Sequence, residues 1–242
     1  MAERQKAVIL LSAGLDSTVS LLAARPQYDF VLAITCNYGQ RAAHEEIAYS
    51  QQICARYAVP HRAIRLDWLA SITNTALVNR DNDVPTLDMG ELDSILGRTL
   101  ETANAVWVPN RNGVFINLAA AFAESLGADW IITGFNAEEA ATFPDNSPQY
   151  VEAINEALNF STQNQVQVFS PTQNLNKTEI VNLGLNLDLP WELLWSCYQA
   201  ADNAGRMCGE CESCMRMVRA TRAVGVWLRV KERFAKNADD AD

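Results

Sequence analysis

The 242-residue sequence predicts an α/β fold, with a Rossmann-like parallel sheet that carries helices on both faces. Short apolar runs typical of buried strands alternate with segments of helical periodicity along most of the chain. The composition, 49% hydrophobic and 20% charged, is that of a globular protein with a sizeable core. Four of the six cysteines lie beyond residue 190, which sets a smaller region apart. We expect residues 1–190 to form the α/β domain and residues 191–242 a small helical region.

The predicted elements alternate in the order that a parallel sheet requires. Apolar runs predict strands at residues 8–11, 30–36, 61–66, 130–133 and 166–169. Helical periodicity predicts helices directly after the first strand and at residues 42–57, 117–126, 148–160 and 178–185. The stretch 67–107, rich in Asn, Asp, Thr and Pro, is predicted to be irregular, and long loops inside compact domains are usually functional or mobile.

A loop of small and hydroxylated residues follows the first predicted strand, from Ser12 to Thr18. At a helix N-terminus such a loop presents backbone N–H groups, hydroxyls and the positive end of the helix dipole, which together attract phosphate. The loop lacks the Gly-Lys-Ser/Thr ending of a Walker A motif, so it suits a group that leaves whole, as pyrophosphate does. The alternative is an ordinary turn capped by Ser12 or Asp16. We expect eight residues to bind nucleotide phosphates: Leu11, Ser12, Ala13, Gly14, Leu15, Asp16, Ser17 and Thr18.

The C-terminal cysteines have the spacing of a metal site, Cys197-x10-Cys208-x2-Cys211-x2-Cys214. In a protein of a reducing compartment, clustered cysteines indicate metal more often than disulfides. Four thiolates satisfy tetrahedral Zn²⁺ and leave no open coordination position, so we expect a structural zinc site. An iron–sulfur cluster is the main alternative, and a set of reduced thiols without metal is a further one.

Charge and hydropathy exclude several classes of protein. The formal net charge is −10, which gives no general attraction for a nucleic-acid backbone. No apolar run approaches the length of a membrane span, and the run after Lys6 stops at Ser12, too early for a signal peptide. We therefore expect a cytoplasmic protein that acts on a small molecule, with no membrane and no direct nucleic-acid partner.

Five sequence segments occur together in an order that is specific. They are Ser-Ala-Gly-Leu-Asp-Ser at 12–17, Asn-Tyr-Gly-Gln-Arg at 37–41, Val-Pro-Asn-Arg-Asn at 108–112, Pro-Asp at 144–145, and the cysteine region with Trp-Ser-Cys-Tyr at 195–198. With these segments, nearly the whole chain resembles the QueC family of 7-cyano-7-deazaguanine synthases, within the PP-loop ATP pyrophosphatases. Three positions depart from the family pattern: glycine is usual at Ala13 and Asn110, and cysteine or serine at Asn146.

The resemblance implies a ligase that uses ATP with Mg²⁺ to convert 7-carboxy-7-deazaguanine and ammonia into the nitrile preQ0, a precursor of queuosine in tRNA. The family mechanism activates the carboxylate by adenylation with loss of pyrophosphate, forms an amide with ammonia, and then activates the amide so that AMP leaves and the nitrile forms. The family also suggests a homodimer. The alternatives are a PP-loop tRNA thiolase or lysidine-type synthetase, a paralogue that adenylates a related carboxylate, and a non-catalytic nucleotide- or zinc-binding module.

The charge, shape and position of each residue indicate its expected role in this chemistry. Asp16 is the expected Mg²⁺ ligand, and Ser12 and Arg111 share the catalytic role with it. A guanidinium or ammonium group neutralises a carboxylate or phosphate. For the N–H edge of a guanine-like ring, Asp145 is preferred to Glu138 or Glu139. Phe135 or Phe143 is suited to stacking on the flat ring. The expected substrate-binding residues are Arg41, Arg111, Phe135, Asn136, Asp145 and Lys177.

Overall fold

Five parallel strands form one sheet in the computed structural model, which describes residues 4–86, 89–90, 92 and 98–236. The strands are β1 (Gln5–Leu10), β2 (Tyr28–Asn37), β3 (His61–Arg65), β4 (Trp130–Ile132) and β5 (Gln167–Phe169). Their order across the sheet is β3-β2-β1-β4-β5, and every neighbouring pair is parallel. The order reverses between β1 and β4, so a crevice opens there at the carboxyl edge of the sheet, where α/β proteins bind ligands.

Helices cover both faces of the sheet, which confirms the predicted fold class. Within the described ranges the helices are α1 (Leu15–Ala24), α2 (Ala43–Arg56), α3 (Asp67–Ser71), α4 (Arg98–Val106), α5 (Arg111–Leu126), α6 (Ala137–Ala140), α7 (Pro148–Ser161), α8 (Lys177–Asn186) and α9 (Glu212–Ala223). In this part of the chain, none of them combines the length and apolar composition that crossing a bilayer requires.

Successive side chains of β1 lie on opposite faces of the sheet, and the core has one layer on each face. Ala7 and Ile9 lie in a cluster with apolar residues of α1, α2, α8 and α9, whereas Val8 lies in a cluster with residues of α5 and α7. Successive side chains of a strand point to opposite faces, so a strand buried on both sides reads as a continuous apolar run. The central position of β1 explains why the run from Val8 to Leu11 is the clearest strand signal in the sequence.

The prediction that residues 67–107 are irregular was wrong at both ends of the segment. Helix α3 and helix α4 occupy those ends, and few apolar side chains anchor them, Leu69 in the first and Ala103 and Val106 in the second. Short helices that bury so few apolar residues show little periodicity, so the polar composition concealed them.

Helix α5 begins at Arg111, earlier than the predicted residue 117. Asn110 precedes it in the left-handed conformation, with φ of 50°, and turns the chain straight into the helix. Asparagine tolerates this conformation better than most residues, which explains how it replaces the glycine of the family pattern.

The region after residue 190 packs against the same core layer as α1 and α8. Trp195, Met207 and Val218 belong to the cluster that contains Ile9. The backbone N–H of Trp195 also donates to the carbonyl of Ala13, at 2.8 Å. The C-terminal region is therefore part of the wall around the first loop, and the division at residue 190 stays a prediction.

Gly134, just after β4, allows the sheet to approach the start of α1 closely. A Cβ atom at this position would lie 2.7 Å from the backbone nitrogen of Ser17 and 2.8 Å from its Cα. No side chain can rotate away to relieve such a contact, because the neighbouring atoms are backbone.

We expect Gly134→Ala to lower the free energy of unfolding by on the order of 1–3 kcal/mol, because the added methyl group overpacks the junction of β4 and α1. Urea unfolding measures this change. Gly90→Ala is the matched control, since a Cβ there meets nothing within 4 Å, and it should change stability by less than about 0.5 kcal/mol. Equal stability of both variants would contradict the close approach at Gly134.

Candidate active site

A cavity of about 270 Å³ opens at the carboxyl edge of the sheet, beside the point where the strand order reverses. The loop after β1, the ends of β2 and β4, and the first residues of α5 and α8 contribute to its wall. The cysteine region closes one side with Trp195, Cys197 and Tyr198. The predicted phosphate loop and the predicted metal region therefore meet at one cavity.

The loop after β1 leaves the N-terminus of α1 open to this cavity. Gly14 is the N-cap residue, and among the described residues no side chain caps the helix, so its first N–H groups stay available beside the space that Ser12 and Asp16 line. The Ser12 and Ser17 hydroxyls lie 3.3 Å apart, and the backbone N–H of Ser12 donates to Ser17 Oγ at 3.3 Å. Of the eight predicted phosphate-loop residues, six line the cavity: Leu11, Ser12, Gly14, Leu15, Asp16 and Ser17.

Ala13 and Thr18 are fully buried and lie behind the cavity wall, outside its lining. Ala13 has φ of 57°, in the left-handed region, where a side chain costs roughly 1–2 kcal/mol and glycine costs little. This explains the glycine of the family pattern at this position. The bond from Trp195 to the Ala13 carbonyl helps to hold the unfavourable conformation.

A buried lysine joins two carboxylates at the mouth of the loop. Lys177 Nζ donates to Asp16 Oδ2 and, at 2.7 Å, to Glu139 Oε1. The side chains of Lys177 and Asp16 are only 9% and 16% exposed, so water screens the pair poorly. Lys177 is the first residue of α8, which Asn176 and Glu179 begin with a reciprocal capping box. The loop thus receives from α8 the positive charge that its own sequence lacks.

Two carboxylates share this one ammonium group, and their pKa values separate. Burial raises the pKa of Asp16 to about 6; Lys177 opposes the rise, and the charge of Glu139 adds to it. Burial also acts on Glu139, but the charge and hydrogen bond of Lys177 outweigh it and lower its pKa. Both carboxylates raise the pKa of Lys177 against the effect of burial, so the ammonium stays charged.

Asp16 has one oxygen to spare for a cation. Its Oδ1 atom is buried and accepts no hydrogen bond from the residues that the structure describes, whereas Oδ2 bonds Lys177. An unpartnered buried carboxylate oxygen beside an open helix N-terminus is a suitable ligand for Mg²⁺, which prefers carboxylate and phosphate oxygens. The residues present therefore fit a magnesium ion that accompanies a bound phosphate chain.

Glu138 connects this centre to the cysteine region. Its Oε1 accepts the backbone N–H of Lys177 at 2.9 Å. Its Oε2 accepts from Arg216 at 3.0 Å and from Arg219 at 2.7 Å, both on α9. Arg216 also binds Glu212 through two nitrogen atoms, at 3.1 and 2.8 Å. Since α9 starts directly after Cys211 and contains Cys214, the helix that follows one cysteine and carries another also contacts the start of α8 through Glu138.

The four C-terminal cysteines converge with the geometry of a tetrahedral metal site. All four Sγ atoms lie within 4.8 Å of one another. Cys197 Sγ is 3.4 Å from Cys208 Sγ and 4.0 Å from Cys211 Sγ, and Cys208 Sγ is 3.8 Å from Cys214 Sγ. Four ligands at the usual Zn–S distance of about 2.3 Å would lie about 3.8 Å apart. Backbone N–H groups of Gln199 and Cys208 point at Cys197 Sγ, as suits a thiolate. The cluster can therefore hold a metal ion.

Three of the predicted substrate residues line the cavity: Arg111, Phe135 and Lys177. Arg111 is half-buried at the N-terminus of α5, where the helix dipole disfavours a cation. It donates to the Tyr38 hydroxyl at 3.3 Å. Burial acts to lower its pKa, but Tyr38 and Asp145 outweigh burial and raise it, so the guanidinium remains charged. A half-buried guanidinium that lines the cavity is suited to an anionic ligand.

Three other predicted substrate residues lie outside the cavity lining: Arg41, Asn136 and Asp145. The Arg41 guanidinium donates to the carbonyls of Ala76, Asn79 and Asn82, so it holds the segment after α3 in place. Asn136 is buried and caps α6. Burial raises the pKa of Asp145, whose carboxylate accepts from the Asn146 side chain. A substrate role for these three residues remains a prediction.

Sequence reasoning missed one carboxylate in the cavity, Glu46 of α2. Glu46 is four residues before Ser50 and seven before Ile53, both of which are buried, so it lies on the inner stripe of the helix. A glutamate in register with a buried stripe was the signal that could have revealed it. Tyr38 and Cys36, at the end of β2, also line the cavity beside it.

The fold and this site define an α/β protein with a ligand cavity at the carboxyl edge of its sheet, where the predicted phosphate loop follows the first strand. The sequence matches the family described as queuosine biosynthesis protein QueC over residues 6–225, and the chain belongs to that family. It is 53% identical over 221 residues to the 7-cyano-7-deazaguanine synthase of Desulforamulus reducens, covering 91% of this chain and 95% of that protein. It is 48% identical over 231 residues to the synthase of Methanosarcina mazei, covering 95% and 99%.

Among solved structures, the chain is similar to the U34-tRNA thiolase NcsA from Methanococcus maripaludis with its 4Fe-4S cluster. The similarity covers 94% of this chain and 68% of that one, with 16% identity and a TM-score of 0.46. A likeness this weak does not bear on function.

Because the pKa of Asp16 is raised, we expect the charged form of this residue to lower the free energy of unfolding above about pH 6. The folded form binds the proton more tightly than the unfolded form, so the free energy of unfolding falls as pH rises from about 4 to about 6 and stays lowered above that. Asp16→Asn removes this titration. We expect its stability relative to the native chain to rise by on the order of 3 kcal/mol between pH 4 and pH 7 in urea unfolding. A difference that does not change with pH would contradict the shifted pKa.

Cys211→Ser should abolish stoichiometric metal binding and destabilise the protein, because three thiolates cannot complete the closed site. Elemental analysis of the purified variant and its thermal unfolding measure both effects. Cys54→Ser is the matched control, since this buried thiol lies in α2 away from the cluster, and it should retain the metal. A stable Cys211→Ser protein with full metal content would contradict a four-cysteine site.

Proposed function

We propose that the protein is an ATP-dependent ligase that converts 7-carboxy-7-deazaguanine and ammonia into 7-cyano-7-deazaguanine through adenylated intermediates. The observation that carries the proposal is one cavity in which the open N-terminus of α1, the Asp16–Lys177 pair and the half-buried Arg111 meet. Membership in the QueC family and the names of the two relatives support the choice of substrate.

The reaction requires attack of a carboxylate oxygen on the α-phosphorus of ATP while pyrophosphate leaves. The N–H groups of α1 and the hydroxyls of Ser12 and Ser17 would bind the leaving pyrophosphate, and Lys177 would oppose its charge. Asp16 would hold Mg²⁺ through Oδ1, and that ion supplies further neutralisation of phosphate charge. Arg111 would bind the substrate carboxylate, since a guanidinium matches its two oxygen atoms. Positioning and electrostatics then account for the adenylation step.

We propose that the metal at the cysteine cluster is zinc and that its role is structural. A closed set of four thiolates leaves no coordination position for substrate. Cys197 and Tyr198 form part of the cavity wall, so the ion would fix that wall without taking part in the reaction. We also propose that the protein is a cytoplasmic homodimer, as the family resemblance suggests. Light scattering of the purified protein tests the oligomeric state.

Asp16→Asn should lower AMP formation at least about a hundredfold, because the variant loses the negative charge that binds the cation and pairs with Lys177. Liquid chromatography with mass spectrometry of reactions containing 7-carboxy-7-deazaguanine, ATP and ammonium quantifies AMP and the nitrile. Asp29→Asn makes the same change on the exposed side of β2 and should leave the rate unchanged. Normal turnover by Asp16→Asn would remove this residue from the mechanism.

A further inference from the structure

Glu46 lies beside the phosphate loop but has no part in the adenylation chemistry described above. Ser50, one helical turn further along α2, reaches the carbonyl of Leu11 with its hydroxyl at 3.4 Å. Residues four apart on a helix lie about 5–6 Å from each other on the same face. Glu46 is therefore placed one turn from the residue that precedes Ser12, on the wall of the same cavity.

A fixed amide holds one oxygen of Glu46 and leaves the other free. Gln40 Nε2 donates to Glu46 Oε2 at 2.8 Å and to the carbonyl of Cys36 at 2.9 Å. Gln40 Oε1 accepts the backbone N–H of Tyr38 at 2.9 Å, so the orientation of this amide is determined. Glu46 Oε1 accepts no hydrogen bond from the part of the chain that the structure describes. It is the carboxylate oxygen that can accept from a ligand in the cavity.

The surroundings of Glu46 favour proton exchange near neutral pH. Burial raises the pKa of its carboxyl to about 7, and the charge of Glu45 adds to the rise, whereas Gln40 and the Arg111 cation oppose it. Tyr38 and Cys36 face it from the end of β2, and burial raises the pKa of both, so they stay neutral. A carboxyl group that titrates close to the working pH can both accept and release a proton.

Both halves of the proposed reaction release a proton from nitrogen. An acyl adenylate and NH₃ give the amide, AMP and a proton, because the new C–N bond forms as the C–O bond to AMP breaks. The adenylated amide then loses AMP and a proton to give the nitrile. Ammonia is also mostly ammonium near neutral pH, and an ammonium ion has no lone pair until it loses a proton.

We propose that Glu46 binds the ammonium ion through Oε1 and accepts the proton that this ion must lose before its nitrogen can attack the adenylate. The second proton leaves the nitrogen as the C–O bond to AMP breaks, and the phosphate of the departing AMP carries it away. The proposal rests on the proposed function, since it assigns a place for the ammonia of that reaction. A carboxylate provides the charge and the acceptor that a small cation needs. The nearby guanidinium of Arg111 would bind the anionic substrate. The positive charge of Arg111 and the negative charge of Glu46 would therefore hold the substrate carboxylate and the ammonium ion at different points of one cavity.

Glu46→Gln tests the proposal by separating adenylation from the ammonia step. Glutamine keeps an oxygen that can accept from Gln40, but it lacks the charge and the basicity. Carboxylate-dependent exchange of pyrophosphate into ATP, measured without ammonium, should stay within about threefold of the native rate. Amide and nitrile formation from ammonium near pH 7 should fall by about 10²–10⁴-fold, the usual contribution of a general base. Hydroxylamine, which is neutral at that pH, should restore trapping of the adenylate as a hydroxamate.

Glu45→Gln is the matched control, because it removes a carboxylate from the same turn of α2. The side chain of Glu45 accepts the N–H of Ala201 at 3.2 Å, outside the cavity lining, and glutamine can keep that bond. The control should retain exchange and ammonium-dependent product at near-native rates.

Two results would overturn the assignment of Glu46. If Glu46→Gln loses exchange in proportion to product, with a raised KM for the deazaguanine, the side chain recognises the ring and does not serve ammonia. If ammonium-dependent product forms at the native rate, no proton acceptor is needed at this position. If the native protein shows no exchange with this carboxylate, the proposed function itself fails and the assignment fails with it.

Discussion

The active centre depends on one buried ammonium group held between two carboxylates. Lys177 connects the first turns of α1, α6 and α8 through Asp16 and Glu139, although these residues are up to 161 positions apart in the chain. Burying three charged groups is unfavourable unless they compensate one another. Asp16, Glu139 and Lys177 form an ionic trio that is compensated incompletely, because two carboxylates share one cation, and the pKa of Asp16 is raised. That imbalance leaves the site suited to a second cation and a phosphate chain.

The cysteine region supports this centre from the outside. Glu138 receives hydrogen bonds from the backbone of Lys177 and from two arginines of α9, while Trp195 holds the carbonyl of Ala13. Both connections reach the phosphate loop or its lysine from the segment that contains the four cysteines. A metal ion there would stabilise the wall of the cavity and, through Glu138, the position of Lys177. The loop can therefore retain a left-handed alanine, whose conformation would be unfavourable in isolation.

Local patterns in the sequence were enough to predict the sheet and the cysteine cluster, and they place the predicted phosphate loop directly after β1. Each depends on residues close together in the chain, such as the apolar run of β1 or the spacing of Cys208, Cys211 and Cys214. The ionic trio could not be derived in this way, because only the fold brings Asp16, Glu139 and Lys177 together. Charge alone makes both Lys177 and Arg41 candidates for an anionic ligand, but Lys177 lines the cavity, whereas the Arg41 guanidinium donates to backbone carbonyls outside its lining. The charge of a residue does not show whether its side chain contacts a ligand or the backbone of the protein.

The central claim is that the loop after β1 releases pyrophosphate from ATP so that a carboxylate becomes bound to AMP. The most direct measurement uses 7-carboxy-7-deazaguanine labelled with ¹⁸O in its carboxylate and follows the label by mass spectrometry of the nucleotides. Adenylation transfers the carboxylate oxygen to the departing nucleotide, so we expect the label in AMP and none in inorganic phosphate or pyrophosphate. Label in inorganic phosphate, with ADP as the nucleotide product, would show that the γ-phosphate activates the substrate and would contradict the account.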